Sequence, residues 1–536
     1  MRNTAKSPLF GIFQKAFKMA LTANANQTTA EEIVQRTQEN ALTRRTFLSN
    51  TGKSLLVCGF SGLITEGVAM PQKTRFSRLD LSQKQPRIAI VGAGIAGLNA
   101  LHTLKKAGYD ATIYEASGRT SGRIFSVQNA IGEGTWAEFG AEFIDTNHAD
   151  MWALVKEFNI ELMDLGQDSE NKLTKELFLF EGQNRTLTEV IEAFRTFAPK
   201  IKADADRLPD DMGYTTKDPY VIELDRLSIS EYLEKIGAQG WIKTFIETAY
   251  QSEYGMSTHI QSSINLLSLI SADTEGGKLE LYGDSDERYK VKGGNQLIPE
   301  ALAQKYTNHI EIHRSLEAIS ATSTHYELIF SGRTDAVKAD FVIIAMPFSR
   351  FKNVDIRLNM PPIKWEVIHK LGFGTNTKFM LGMTQHFWRA HGFQGFCFSD
   401  VGIPNGWDNA QLQTGDKDAA GLAILVGGAA GVALGEGTPE FQKDIYLPRW
   451  EKVFKGATAH FNGKIARMHW ASYPYTLGSY VSYTTGQYTS ISGAEVLPVG
   501  NVFFAGEHCG GEFSGFMNGA AKSGREAAES IIALNR

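Results

Sequence analysis

The clearest pattern of apolar and polar positions lies close to residue 90. Residues 87–91 (RIAIV) form a short, almost continuous apolar run, which is typical of a buried parallel strand. Apolar residues then recur at helical spacing, at Leu98, Leu101 and Leu104. Residues 111–115 (ATIYE) give a second strand pattern. The order strand, helix, strand predicts a βαβ unit and an α/β fold.

The rest of the chain changes its pattern several times. Residues 150–285 alternate amphipathic helical segments with polar linkers, residues 310–345 favour strands, and residues 347–494 are mixed. The individual predictions are helices at 151–158 and 228–236, strands at 310–312, 326–330, 341–344 and 501–505, and a helix at the C-terminus. The sequence contains no repeat of fixed period and no low-complexity tract.

The turn between the first strand and its helix has the sequence GAGIAG. Gly92 permits a tight turn, Gly94 lets the backbone approach a pyrophosphate, and Gly97 lets the helix and the strand pack closely. The N-terminus of the helix offers free N–H groups to phosphates. Glu115, at the end of the second strand, can accept hydrogen bonds from ribose hydroxyls. This predicts a dinucleotide site that takes NAD or FAD rather than NADP.

Length and composition narrow the class of protein. A chain of 536 residues predicts two or three domains. The net charge of -5 is small for this length and argues against a nucleic-acid partner, which usually needs a basic face. Cys58, Cys397 and Cys509 form no C-x-x-C pair and have no accompanying histidine cluster. We therefore expect neither a metal site nor a disulfide framework.

The N-terminal region carries a targeting pattern. Arg44 and Arg45 precede a moderately apolar stretch at residues 54–70, which is the order found in twin-arginine export signals. The short length of this stretch and the presence of Glu66 argue against a permanent membrane span. We expect residues 1–82 to be a leader outside the fold, and the protein to be exported to the periplasm. The alternative is a disordered leader on a cytoplasmic protein.

From about residue 86 onwards, several motifs in family order make the chain resemble the flavin amine oxidases. This family includes monoamine oxidases, polyamine oxidases and L-amino-acid oxidases. Residues 115–123 (EASGRTSGR) are similar to the family's E-A-x-x-R-x-G-G-R run, with Ser121 in place of the first glycine of the usual pair. The resemblance implies that Arg119 and Arg123 face an FAD cofactor, where guanidinium groups neutralise phosphate and flavin-edge charge.

Further cofactor contacts are implied by motifs far along the chain. Gly140 and Ala141, in the sequence EFGA, resemble a segment that passes close to the flavin, and the piece around Leu316 resembles one that meets the adenine. Near the C-terminus, FAGE and GFMNGA resemble the family's F-A-G-E and G-Y-M-x-G-A. They imply that Glu507 binds the ribityl or pyrophosphate region and that Met517 donates a backbone N–H to the flavin. A cofactor site that returns at the C-terminus favours FAD over NAD.

The architecture that the resemblance implies is a Rossmann-like FAD-binding domain with an inserted α+β substrate-binding domain. The order of the motifs places residues 83–145, 286–346 and 495–536 in the FAD-binding domain. The substrate-binding domain then takes residues 146–285 and 347–494.

The same resemblance implies the residues that act on the substrate. Lys378 resembles a lysine that holds a water against flavin N5, where a cation suits electron acceptance. Tyr480 and Phe516 fall on the two positions of the family's aromatic cage, whose rings hold an amine against the flavin. Trp470 precedes Tyr480 at the spacing found in monoamine oxidases. Ser479 stands where some relatives carry a flavin-linking cysteine, so we expect FAD to be non-covalent.

The implied reaction is hydride removal from the carbon next to the nitrogen of a primary or secondary amine. The imine then hydrolyses to an aldehyde and ammonia or an amine, and O2 is reduced to H2O2 unless another acceptor takes the electrons. Glu142 and Asp145 follow Ala141, and two carboxylates near the entrance favour a cationic substrate such as a diamine or polyamine. The other interpretation of this pair, as surface or helix-capping groups, stays open.

Two other enzyme classes share parts of this pattern. A basic L-amino acid is an alternative substrate if an arginine such as Arg350 or Arg389 binds its carboxylate. A flavin desaturase-type oxidoreductase is a second alternative, because it has the same N-terminal fingerprint. The sequence leaves open the electron acceptor, contact with export machinery and the formation of a homodimer.

Overall fold

The predicted βαβ unit forms the centre of a parallel sheet in the computed structural model, which describes residues 8–35, 85–171, 173–269, 286–414 and 418–535. All neighbouring strands of this five-stranded sheet run parallel. In sheet order the strands are Val502–Phe504, Phe341–Ile344, Ile88–Val91, Ala111–Tyr114 and Ile310–Glu311. Every residue of Ile88–Val91 is buried, as its apolar run predicts. The α/β fold class is therefore confirmed.

Two helices cover this sheet and pack against each other. They are Ile95–Lys106, which follows the glycine-rich turn, and Met517–Leu534, which ends the chain. Their closest approach is at Gly524, where a Cβ atom would lie 2.0 Å from the carbonyl oxygen of Ala96. Only a residue without a side chain allows this contact. Both helices were predicted from the sequence and are confirmed.

Three smaller sheets flank the parallel sheet in the described part of the chain. A four-stranded sheet contacts it where the ring of Phe330 stacks on Tyr114, with 4.4 Å between the ring centroids. Its strands, in sheet order, are Val337–Ala339, Tyr326–Phe330, Leu316–Ala321 and Asp355–Arg357. Two antiparallel pairs complete this part, Ser126–Gln128 with Trp136–Glu138 and Leu162–Asp164 with Tyr289–Val291.

A mixed seven-stranded sheet forms the wall that faces the parallel sheet across the functional cavity. In sheet order its strands are Phe461–His469, Thr377–Met383, Ala420–Val426, Gly406–Asp408, Phe393–Ser399, Thr174–Phe180 and Gln183–Arg185. All residues of Thr377–Met383 are buried. Lys378 lies in this strand between Leu425 and Met468 of its two neighbours.

Helices surround both large sheets. Those of the segment between residues 149 and 269 are Ala149–Glu157, Leu187–Arg195, Ala198–Ala205, Pro219–Arg226, Ile229–Ile236, Gly240–Tyr254 and Ser263–Leu269. The later ones are Leu297–Lys305, Phe348–Phe351, Pro362–Lys370, Gly428–Gly435, Pro439–Val453, Ala457–His460 and Gln487–Ser490. Short 3-10 helices are Leu165–Asn171, Thr307–His309, Phe387–His391, Trp470–Ser472, Glu507–Cys509 and Gly511–Phe513.

The helix Ile229–Ile236 shows how local sequence fixes an element. Ser228 caps its N-terminus, accepting from the backbone N–H of Glu231 while the Glu231 carboxylate accepts from the N–H of Ser228. This reciprocal capping box satisfies two backbone donors that the helix itself leaves open. At the other end Gly237 adopts a left-handed conformation with φ of 85°. The helix predicted at 228–236 is confirmed on these signals.

The N-terminal helix Pro8–Asn26 corrects one prediction. Ala16, Phe17, Met19, Ala20 and Ala23 of this helix are buried, and the ring of Phe17 meets Phe194 edge-on with 6.4 Å between the centroids. The guanidinium of Arg195 donates to the Asn24 side chain at 2.8 Å. The expectation that residues 1–82 lie outside the fold is therefore wrong for this helix, because its apolar side chains complete the core beneath Phe194.

The targeting pattern itself lies outside the described residues. This applies to Arg44, Arg45 and the apolar stretch at 54–70, so export through the twin-arginine route stays a prediction. Within the described ranges, no helix is both long enough and apolar enough to cross a membrane.

Replacing Phe17 by alanine tests whether the N-terminal helix belongs to the core. The substitution removes a fully buried ring and leaves a cavity against Phe194, so we expect the free energy of unfolding to fall by about 3–5 kcal/mol. Thermal unfolding followed by circular dichroism measures this. Asn26→Ala, at an exposed position of the same helix, is the control and should leave the midpoint unchanged. Equal midpoints for both variants would contradict docking of the helix.

Candidate functional site

A long cavity runs from the glycine-rich turn to the seven-stranded sheet. Its walls enclose about 1840 Å³, including the open solvent at its mouth. One end is lined by Gly92, Gly94 and Glu115, and the other by Lys378 and Tyr480. The cavity therefore joins the predicted cofactor motifs to the predicted substrate residues.

At the first end, three glycines let the backbone turn tightly beneath the cavity. Gly92 has φ of 106°, and a Cβ atom there would lie 2.7 Å from the carbonyl oxygen of Ala345. A Cβ atom on Gly97 would lie 2.0 Å from the Gly92 carbonyl oxygen, so Gly97 serves packing and does not line the cavity. Gly94 differs, because the nearest atom to its Cβ position is the Cα of Gly122 at 4.0 Å.

This open space at Gly94 forms a cradle for an anionic ligand. Gly94 lines the cavity and precedes the helix Ile95–Lys106, to which it gives no side-chain cap. The first N–H groups of a helix have no partner within the helix, and its dipole adds positive potential there. The turn can therefore receive a pyrophosphate against bare backbone.

Glu115 is held rigidly at the end of the second strand. One carboxylate oxygen accepts from the backbone N–H of Ala93 at 2.7 Å, and the other accepts from the N–H and the hydroxyl of Ser117 at 2.8 and 2.7 Å. A carboxylate has about four acceptor positions. One of these remains for a ribose hydroxyl of a dinucleotide.

Ser121 stands where the usual motif has the first glycine of a pair, and its hydrogen bonds explain how a serine is accommodated there. Its φ is 90°, in the left-handed region that normally favours glycine. The Ser121 hydroxyl accepts from the Arg119 guanidinium at 2.8 Å and donates to the Ile124 carbonyl at 2.7 Å. These bonds hold the serine in a conformation that a glycine adopts without strain. Arg119 also lies over the ring of Phe125, with 4.2 Å to the centroid.

A second arginine, Arg123, contacts residues that lie far along the chain, near its C-terminus. The Arg123 guanidinium donates to the Glu507 carboxylate at 2.8 Å and to the Ser479 carbonyl at 2.6 Å. Burial by itself raises the pKa of Glu507, but Arg123, with His508 and the N–H of Val481, outweighs it and lowers the pKa below its usual value. Glu507 is therefore an anion that fixes Arg123 against the cavity.

The remaining predicted cofactor residues also reach the cavity. Gly140 and Ala141 line it, and a Cβ atom on Gly140 would lie only 1.8 Å from the Arg123 carbonyl oxygen. Leu316 lines the dinucleotide end. Met517 begins the C-terminal helix without a side-chain cap, so its N–H is one of the open donors at a helix N-terminus.

A buried cluster of one carboxylate and two lysines lies at the substrate end. The Glu142 carboxylate accepts from Lys378 at 2.6 Å, from Lys290 at 2.8 Å and from the indole N–H of Trp407 at 2.9 Å. Burial raises the pKa of Glu142, but the two ammonium groups outweigh it and lower the pKa to about 2. The sequence suggested that Glu142 attracts a substrate cation, but two ammonium groups of the protein already neutralise this carboxylate.

Lys378 is positioned by this cluster. Besides Glu142, its ammonium donates to the Gly140 carbonyl at 3.0 Å. An ammonium has three donors, so one is available to a group in the cavity. Lys290, the second lysine, was missed by sequence reasoning, because an isolated lysine in the short strand Tyr289–Val291 gives no signal of burial.

Asp145 corrects another prediction. It is fully buried and is not among the residues that line the cavity in the described part of the chain. Its carboxylate accepts from the backbone N–H of Glu287 at 2.8 Å, and its other oxygen lies 3.3 Å from the His148 ring. Asp145 therefore organises the wall behind the site instead of contacting substrate.

The predicted aromatic residues do line the cavity. The Tyr480 hydroxyl donates to the Ser252 carbonyl at 3.3 Å, and the Phe516 ring packs edge-on against His148 with 5.2 Å between the centroids. Burial and the nearby Glu253 raise the pKa of Tyr480 well above its usual value, so its hydroxyl stays protonated. The Trp470 indole donates to the Phe139 carbonyl at 3.0 Å.

Comparison with known proteins identifies the family. The family described as flavin containing amine oxidoreductase has a sequence model that matches residues 95–532. The chain belongs to this family. The protein is therefore an FAD-dependent oxidoreductase that acts on amines. The open cradle at Gly94, the fixed Glu115 and the Arg123–Glu507 pair fit FAD.

Several flavin amine oxidoreductases are similar to this one at low identity. A flavin-containing amine oxidase of Danio rerio is 22% identical over 463 residues, covering 83% of this chain and 85% of that protein. An L-amino acid dehydrogenase of Synechocystis sp. is 24% identical, covering 83% and 94%. A putrescine oxidase structure with bound putrescine superposes with a TM-score of 0.71 at 20% identity, covering 84% and 99%. That structural likeness shows the shared fold.

The two arginines considered for an amino-acid substrate have different places in the structure. Arg350 lines the cavity on the segment that includes Ala345, which meets the Gly92 turn at the dinucleotide end. Arg389 does not line the cavity, and its guanidinium donates to the buried Asp168 at 2.6 Å. Arg389 is therefore committed to Asp168, whereas Arg350 stays a candidate for binding a substrate carboxylate.

Replacing Gly94 by valine tests the cofactor cradle of this amine oxidoreductase. The nearest protein atom to the new Cβ position is the Cα of Gly122 at 4.0 Å, and Gly94 lines the cavity. We therefore expect the protein to fold but to bind FAD at least about 100-fold more weakly, because the pyrophosphate loses close backbone contact. Flavin absorbance of the purified protein and titration of apoprotein with FAD measure this. The control is the wild-type apoprotein, which should unfold at the same thermal midpoint as the variant. Full retention of FAD by the variant would contradict the assignment.

Proposed function

We propose that this enzyme oxidises a primary or secondary amine, with diamines as the favoured class. The product imine hydrolyses to an aldehyde and ammonia or an amine, and O2 is reduced to H2O2. One observation carries the proposal: Lys378 is fixed by Glu142 and the Gly140 carbonyl in the same cavity as Tyr480 and Phe516. A cation beside an aromatic pair, at the end of a dinucleotide cavity, suits amine oxidation.

The charges around Tyr480 support a cationic substrate. Glu253, Glu507 and Glu287 each raise the pKa of Tyr480, which places three acids in its surroundings. Buried carboxylates attract a substrate that arrives as an ammonium ion. The faces of Tyr480 and Phe516 add the attraction of aromatic rings for cations.

The residues of the site have different roles in the proposed reaction. Tyr480 and Phe516 hold the substrate nitrogen and exclude water by their apolar faces. When bound, FAD supplies the two-electron acceptor for the hydride of the substrate carbon. Lys378 offers its remaining N–H donor to a water or oxygen species in the cavity, and Glu142 keeps its ammonium in place. Because only the neutral amine has a free lone pair, activity rises with pH until the substrate has lost its proton.

A basic L-amino acid is the second candidate substrate. The cluster of Glu142 with Lys378 and Lys290 carries one more positive than negative charge, and this surplus can attract a carboxylate. An L-amino acid dehydrogenase is also among the similar proteins. The flavin desaturase alternative has no comparable support.

We also propose that FAD is held without a covalent bond. The Ser479 hydroxyl, at the position of the flavin-linking cysteine of some relatives, donates to the Asn376 side chain at 2.5 Å. We expect acid precipitation of the holoenzyme to release the flavin into the supernatant, measured by absorbance and mass spectrometry. A yellow pellet, with a protein mass increased by that of FAD, would contradict this.

Oxidation of amines is tested on the purified holoenzyme. We expect anaerobic mixing with amines to bleach the flavin absorbance, and aerobic mixing to release peroxide. Lys378→Met should lower turnover about 100-fold or more while FAD remains bound, because the donor in the cavity is lost. Ser472→Ala, on the surface, is the control with unchanged turnover. If monoamines, diamines and L-amino acids all leave the wild-type flavin unbleached, the proposed function is wrong.

A further inference from the structure

Two residues of the cavity wall carry buried side-chain polar atoms that have no hydrogen-bond partner in the described structure. They are Glu287, through its Oε1 atom, and Asn405, through both its amide nitrogen and its amide oxygen. Both residues line the cavity. A buried polar atom without a partner is destabilising, and such atoms in native proteins call for an explanation such as a functional role or a bound water or ion.

The fold fixes the backbone of Glu287 even though its Oε1 atom has no hydrogen-bond partner. Its backbone has φ of 46°, in the left-handed region that a glutamate seldom adopts. The Asp145 carboxylate accepts from its N–H at 2.8 Å, and the strand Tyr289–Val291 begins two residues later. Asp145 and the strand therefore fix the backbone from which the unpartnered carboxyl group enters the cavity.

Asn405 is fixed in the same way on the seven-stranded sheet. Its backbone carbonyl accepts from the N–H of Leu425 at 3.2 Å, while its side chain makes no hydrogen bond to a described residue. Asn405 directly precedes the strand Gly406–Asp408, whose Trp407 donates to Glu142. Glu287 interacts electrostatically with the same Glu142, so both residues belong to the part of the cavity wall near this carboxylate.

The charges around Glu287 select the kind of ligand. Asp145, Glu253 and Glu142 are its acidic neighbours, and Lys175 is the cation that acts on it. Glu142 is neutralised by Lys290 and Lys378. A ligand carboxylate would meet Glu287, Asp145 and Glu253 here, whereas a ligand ammonium would gain acceptors on Glu287 and Asn405.

We propose that Glu287 and Asn405 bind the second, non-reacting ammonium group of a diamine whose first amine is oxidised between Tyr480 and Phe516. This inference rests on the proposed amine oxidation and assigns its specificity for diamines to one acid and one amide. The carboxylate supplies charge, and the amide oxygen supplies a second acceptor, so a monoamine of equal length leaves both groups unpartnered.

The pH dependence of diamine binding follows from the same neighbours. Burial first, and then Asp145, Glu253 and Glu142, raise the pKa of Glu287 well above its usual value, against the smaller lowering by Lys175. These neighbours favour the protonated form of Glu287, whereas an ammonium group bound beside it favours the carboxylate, so binding is coupled to release of a proton. Affinity for a diamine should rise with pH more steeply than affinity for a monoamine.

The experiment compares putrescine with n-butylamine on the holoenzyme and on Glu287→Gln. We expect the ratio of kcat/KM for putrescine to kcat/KM for n-butylamine to fall about 10–100-fold, the effect of losing a hydrogen bond to a charged group. The steeper pH dependence for putrescine should also disappear. Glu300→Gln, at an exposed helical position, is the matched control and should keep the wild-type ratio. FAD absorbance and the thermal midpoint establish that each variant is folded.

The outcomes separate the two proposals. If the wild type oxidises both amines and Glu287→Gln leaves their ratio unchanged, the inference is wrong and the proposed function stands. If the wild type oxidises neither amine, the inference is wrong, and the wider set of amines used in the bleaching experiment decides the proposed function. Asn405→Leu removes the amide while keeping a side chain of similar size, and it should lower the same ratio. If Glu287→Gln does not fold, Asn405→Leu replaces it as the test variant. An unchanged ratio in Asn405→Leu would then overturn the inference.

Discussion

The ion pair between Lys378 and Glu142 is the constraint on which the substrate end depends. A buried ammonium is costly to hold without a counter-charge, and the strand Thr377–Met383 places Lys378 in a fully buried position. Glu142 supplies that charge at 2.6 Å and binds Lys290 and Trp407 with its other oxygen. The carboxylate thus joins the segment behind the cofactor motifs to the seven-stranded sheet and fixes the distance between the two walls of the cavity.

The cofactor end depends on a comparable long-range pair. Arg123 and Glu507 are separated by most of the domain sequence, yet they lie 2.8 Å apart. The contact is possible because the parallel sheet brings Val502–Phe504 into the same layer as Ile88–Val91 and Ala111–Tyr114. Parallel strands present their carboxyl ends at one edge, where ligands of such sheets bind. Glycine supplies the remaining requirement, since Gly92 and Gly97 allow contacts that a Cβ atom would prevent.

Much of the fold and of the cofactor end could be predicted, because local signals carry them. Ile88–Val91 was recognisable as a buried run, Gly94 by its place in a turn before a helix, and Glu115 by its place at the end of a strand. The helix Pro8–Asn26 was not recognised as part of the core, because only its contact with Phe194 in the folded protein shows that it belongs there. Whether such a face belongs to a leader or to a core depends on its partner, which lies far along the chain.

By itself, the sequence determined the α/β class, the place of the dinucleotide and the candidates Lys378, Tyr480 and Phe516, since turns, periodicity and family motifs are local in the chain. Only the tertiary structure decided what the acids do. Glu142 is neutralised by two lysines, and Asp145 holds a backbone N–H behind the wall. Glu287 lines the cavity, and its Oε1 atom has no hydrogen-bond partner among the described residues. The chemistry of a carboxylate depends on burial and on the charges within a few ångströms, and folding alone brings those charges together.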